Sequence, residues 1–222
     1  MDVHYFFRRR VTFIRQFYEN AAAPFLERKR KIEASEDPFD NPPHSEDPEP
    51  PYLAEWSEAD DSLHVLGYSC VSMLAAALHV YFQTWERFCG VPAAARFKAE
   101  FQAGWVSGYT AYCDVVLAID LAQGPCDLKL IEEVVLARNR AQHPDNLVMK
   151  LPTYTDSDLK KLRGALFIDP SREIFEDLDN GERDWLMPPT LHASAEKLDA
   201  AIAEIERFVE WLDPLIELAV YR

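Results

Sequence analysis

Residues 62–85 (SLHVLGYSCVSMLAAALHVYFQTW) run for 24 positions without a formal charge. A stretch of that length has two places to go, across a bilayer or through the middle of a protein core. His64, His79, Gln83, three serines and a glycine interrupt it, and Asp60 and Asp61 flank it where a membrane span carries Lys or Arg. We therefore expect a central helix from about Ser57 to Phe88, buried on all sides, with no membrane association.

The rest of the chain must pack around that helix. From Val3 to about Ile32, Phe6, Phe7, Val11, Phe13, Ile14, Phe17, Tyr18 and Phe25 recur at three-to-four spacing, one stripe of an amphipathic helix. A second long helix is predicted from about Ala93 to Leu121, with Phe97, Phe101, Trp105, Tyr109 and Tyr112 as its aromatic stripe and Gly104 and Gly108 allowing close approach. A motif helix spans about Asp127 to His143, and a last one runs from Leu191 to about Val220, where Pro214 is placed to kink or end it. Residues 144–188 read as irregular, with a short helix near Ser157 to Gly164 and a brief strand at Leu166 to Ile168. Only seven glycines occur in 222 residues, so short punctuated strands and a Gly-rich phosphate loop are disfavoured. The expectation is all-α: one domain, 1–222, an antiparallel helical bundle of four to five main helices. Its one insertion is an acidic, proline-rich loop at 35–52, whose six prolines cannot sustain a helix.

Charge constrains the partners. A net charge of −15 opposes a polyanion, because nucleic-acid affinity comes mostly from phosphate neutralisation. Its distribution is uneven, however. Eleven acids and no base lie between Glu33 and Asp61, so 38 acids less these eleven leaves 27 against 23 bases elsewhere. Residues 1–31 are positive, with eight Lys or Arg against three acids. A solvated face is the simpler account of those bases; an RNA or partner surface is the other. Cys70, Cys89, Cys113 and Cys126 are too far apart for a zinc site and read as reduced thiols, three of them in apolar helical pattern. No metal is expected. The N-terminus lacks a signal peptide's apolar stretch, and we expect a cytoplasmic protein.

Chemistry concentrates in LIEEVVLARNRAQHPDN, Leu130 to Asn146. Arg138 is permanently charged and shaped to make two hydrogen bonds to a phosphate. His143 stands in the last turn before Pro144; the helix end favours its imidazolium, the neighbouring arginines oppose it, and a pKa near neutrality would suit acid–base work. Asn139 shares a face with His143, whereas Arg138 lies about 140° away on an ideal helix. One helix therefore holds the set loosely, and a second copy around a two-fold axis would complete it. An Arg and a His at this spacing arise by chance about 0.4 times in a chain of this composition. The plain alternative is structural, with Arg138 paired to Glu132, Glu133 or Asp145 and His143 capping its own helix. The other histidines, His4, His44, His64, His79 and His192, show no partner pattern.

Arg138, Asn139 and His143 match an R, then N, D or H, then three or more residues, then H. The pattern resembles the signature of the HEPN superfamily, and the helical bundle with its late motif helix is similar to that family too. The resemblance implies a metal-independent endoribonuclease without a cofactor, commonly a homodimer, serving as a toxin or anti-phage effector restrained by a cognate inhibitor protein. It implies that His143 handles the proton, that Arg138 stabilises charge on phosphorus, that Asn139 orients the histidine or substrate, and that Arg140 touches a flanking phosphate. Members modified by a partner nucleotidyltransferase carry Tyr two positions after the His; here Asp145 stands there, so that regulation is not expected. The alternatives are a non-catalytic HEPN-like module that binds nucleotide, RNA or protein, which the net acidity favours, and a helical scaffold.

Overall fold

A computed structural model describes residues 2–42, 48–143, 151–160, 166–168 and 189–221. These residues form an all-α bundle. Helix α1 (Val3–Glu33) is capped by Asp2, whose Oδ1 accepts the Tyr5 N–H at 2.8 Å. Helix α2 (Leu53–Cys89) ends at Gly90, φ 68°, the left-handed geometry that releases a helix cheaply only at glycine. Helices α3 (Ala93–Arg96), α4 (Lys98–Ala103) and α5 (Trp105–Tyr112) are short; α6 (Leu128–Gln142) carries the motif, α7 (Asp156–Leu159) is a single turn, and α8 (Ala195–Val220) closes the bundle. Phe7 meets Tyr81 while Lys29 meets Asp60, so α1 and α2 are antiparallel. Arg15 reaches Glu206 while Tyr18 meets Ala195, and Asp127 meets Glu204 while Glu133 lies near Lys197, so α1 and α6 both run antiparallel to α8.

The core gathers around α2, which packs against α1, α6 and α8. Trp85, Phe82 and Phe208 are almost wholly buried, and the buried Asp213 carboxylate is satisfied by the Tyr81 hydroxyl at 2.8 Å and Trp85 Nε1 at 3.2 Å. Cys70 and Cys113 are buried free thiols, and Cys89 and Cys126 are half-buried ones. Helix α8 passes through Pro214 without ending, its start fixed by Ser194, whose Oγ accepts the Lys197 N–H at 3.3 Å.

Several expectations need correction. Helix α2 is, among the described residues, long and apolar enough to cross a membrane, and 56% of its most apolar window is buried in the fold. It is not buried all round, however: Ala76, His79 and Val80 face solvent between α1 and α6. The predicted second long helix is broken, because the chain leaves helical geometry at Phe97 and at Gly104 and passes into a π-helical turn at Cys113–Leu117. Side chains from other helices hold the breaks. Glu86 accepts the Tyr109 hydroxyl at 2.7 Å and the Ala93 N–H at 3.0 Å, and Glu132 caps α5. A Cβ on Gly108 would sit 2.4 Å from the Phe101 ring, so the close approach foreseen there is an aromatic ring folding back on its own segment. The expected brief strand is an isolated antiparallel bridge, Ile168 to Leu191, with a second from Thr153 to Thr190. The expected helix from Ser157 to Gly164 is the single turn α7, with Lys160 already in a turn; 161–164 lie outside the described residues, as does part of the proline-rich loop, 43–47. The described part of that loop is turn and coil.

Candidate active-site cleft

The sequence sets where α6 begins and ends. Asp127 Oδ1 accepts the Lys129 N–H at 2.9 Å at its start. At its end His143 adopts φ −130°, ψ 67°, out of the helix as a residue before proline tends to be. The His143 N–H still donates to Asn139 O at 3.0 Å, so the exposed His143 stands about one turn, roughly 6 Å of axial rise, beyond Asn139.

The two sides of α6 have different surroundings. Toward α2 and α5, the Glu132 carboxylate takes the Val106 N–H at 2.7 Å and the Trp105 N–H at 3.2 Å, closing the N-terminus of α5. Arg138 Nη1 donates to Asn139 Oδ1 at 3.0 Å. These two residues, with Ala76, His79, Trp105 and Glu132, line a cleft of about 370 Å³. Among the described residues no carboxylate lies within ion-pair distance of Arg138. Glu132 is committed to α5 and Glu133 faces the opposite side, so neither neutralises Arg138; Asp145 lies outside the described residues.

On that opposite side Glu133 and Arg140 both meet protein groups. Glu133 is 3% exposed and accepts the Phe167 N–H at 2.9 Å; burial pushes its carboxyl up to about 7, against the backbone donors and the Lys197 charge. Arg140, expected at a flanking phosphate, instead forms an ion pair with Asp158, its Nε 3.2 Å from Oδ2. The reason is helical geometry: two residues on from Arg138 is 200° around the axis, which takes Arg140 away from the cleft.

His79 is the residue that sequence reasoning passed over. It lies on α2 at the rim of the cleft, and its pKa is lowered by partial burial first and also by the Arg138 charge, with Glu86 opposing. Its imidazole is therefore neutral at pH 7. His79 is one of two histidines in an uncharged 24-residue stretch, and nothing local connects it to Arg138. The structure thus brings together Arg138, Asn139 and His79, with His143 one turn further along the same helix and not among the residues lining the cleft. A guanidinium that meets no carboxylate among the described residues, beside an amide and an imidazole, is suited to holding a phosphate and accepting a proton close to it.

Comparison with models of known protein families, with curated proteins and with solved structures found no match.

Proposed function

We propose that this chain is a metal-independent endoribonuclease of the HEPN type, acting as a toxin or anti-phage effector, with a homodimer and a cognate inhibitor protein as its expected assemblies. The observation that carries the reading is Arg138: in a chain with 38 acids it lines an open cleft and has no carboxylate partner among the described residues. RNA supplies its own nucleophile. The 2′-hydroxyl attacks the adjacent phosphorus and gives its proton to a histidine, Arg138 holds the charge that grows on the phosphoryl oxygens, and the 5′-oxygen leaves with a proton. The products are a 2′,3′-cyclic phosphate and a 5′-hydroxyl end. Asn139, bonded to Arg138, fixes the guanidinium.

His143 is the proton-handling residue in the motif, and the position of His79 favours a second assignment, because His79 lines the cleft and is neutral at pH 7. Incubating purified protein with total RNA in excess chelator tests both. Wild type generates cyclic-phosphate ends, and His143→Ala lowers the rate by about 10²–10⁴ with an unchanged melting temperature. If His79→Ala has that effect and His143→Ala does not, the proton acceptor is His79. If wild type leaves RNA intact, the nuclease reading is wrong and the non-catalytic binding module takes its place.

A further inference from the structure

The apolar stripe that spacing predicts along α1 divides into two lines. Val3, Phe7, Val11, Ile14 and Tyr18 are buried, whereas Phe6, Phe13 and Phe17 are 55%, 57% and 39% exposed. Phe6, Arg10, Phe13 and Phe17 follow at intervals of four, three and four, one face of the helix, with Arg9 beside them. The Phe13 and Phe17 rings stack with centroids 6.1 Å apart and planes 17° from parallel, and the Arg9 guanidinium sits 6.0 Å over the Tyr5 ring.

A groove of about 780 Å³ separates this line from α2, with Phe6, Arg9, Arg10 and Phe13 on one wall and Ala76 and Val80 on the other. Ala76 and Val80 also line the Arg138 cleft, so the two hollows adjoin across the exposed side of α2.

Charge distinguishes the groove from the rest of the surface. Residues 3–18 contain four arginines and no acid, and no acid lines the groove. Further along α1, Arg15, Arg28, Lys29 and Arg30 each pair with a carboxylate. Arg8, Arg9 and Arg10 meet none among the described residues; Arg9 donates only to the Tyr5 hydroxyl, at 3.3 Å. A second copy of the chain is a poor occupant, because a two-fold interface lays a patch against itself and would set these arginines against one another. Base pairs would hide the faces that exposed rings can stack on, so a duplex is poor as well.

Resting on the proposed RNA substrate, we infer that this groove binds single-stranded RNA and leads it to the Arg138 cleft. Bases stack on Phe6 and Phe13, and Arg9 and Arg10 take phosphates.

Binding of the full-length protein to a fluorescent, uncleavable 2′-O-methyl 20-mer, measured by anisotropy in chelator at several salt concentrations, tests the groove apart from the chemistry. Arg9→Glu with Arg10→Glu is expected to weaken binding about 100-fold and to reduce the salt slope by about 1.4, some 0.7 for each lost phosphate contact. Phe13→Ala weakens it about tenfold and Phe13→Trp restores it, since any ring that stacks suffices. Circular dichroism melting confirms that these surface variants fold. Equal affinity in wild type and groove variants overturns the inference, as does a wild type that binds no single-stranded RNA, or a patch whose variants change only the sedimenting mass or vesicle binding. If groove variants lose binding while wild type fails to cut ordinary RNA, the groove stands and the nuclease reading falls. If they bind normally while Arg138→Ala abolishes cutting, the nuclease reading stands and the groove falls.

Discussion

The two sides of α6 carry the same kinds of residue in different states. Toward the 151–168 segment, Glu133, Arg140 and Asp158 are buried or half-buried and bonded to protein groups. Toward α2, Arg138 bonds, among the described residues, only its neighbouring amide, and it faces an open cleft. A buried charge must be matched internally because desolvation is so costly, whereas a cation left unmatched beside a cavity keeps its capacity for an outside anion. Among the described residues, whether an arginine meets a carboxylate, more than its place in a motif, therefore distinguishes Arg140 from Arg138.

That contrast can be broken most directly at its ends. Arg138→Ala is expected to lower RNA cleavage about 10³-fold while the melting temperature holds, since no protein group loses a carboxylate partner. Asp158→Ala should do the reverse, costing about 3–5 kcal/mol in chemical denaturation by removing a buried carboxylate that takes the Thr155 N–H and hydroxyl and pairs with Arg140, with cleavage per folded molecule retained. A cleavage defect in Asp158→Ala matching that of Arg138→Ala would erase the distinction.

Glu133 sharpens the comparison through pH. Its folded-state pKa, about 7, lies above the ordinary 4.5, so the folded state favours the protonated carboxyl. That contribution is complete below about pH 4.5 and is lost as pH rises through about 7. Glu133→Gln keeps an acceptor for the Phe167 N–H without the buried charge. The variant should gain about 3 kcal/mol over wild type at pH 8, with the advantage gone by pH 4.5, when melting is followed across that range. The smallest effect belongs to Arg15→Ala, which removes partly exposed ion pairs to Asp199 and Glu206 and should cost no more than about 1 kcal/mol, disappearing in high salt.

Legibility followed locality. The limits of α1 and α6 were readable because Asp2, Asp127 and Pro144 act on the backbone within a few residues. The aromatic run from Phe97 to Tyr112 misled: its three-to-four spacing is real, but Glu132 and Glu86, from other helices, satisfy the backbone and hydroxyl groups around the breaks and make three short helices as good as one long one. In the candidate site, Arg138 and Asn139 were legible from the motif. His79 was not, because helical period cannot say which residues of another helix will face a given turn.

Sequence by itself determined the helical class, the position of the motif helix, its cap and its stop, and the uncharged core of α2, since all are written in short-range spacing and side-chain type. Only the tertiary structure decided that the α1 stripe divides into a buried and an exposed line, that Arg140 turns to Asp158, and that Arg138 opens toward His79. Those outcomes depend on which surfaces other helices cover, and burial is a property of the packed chain that no local period contains.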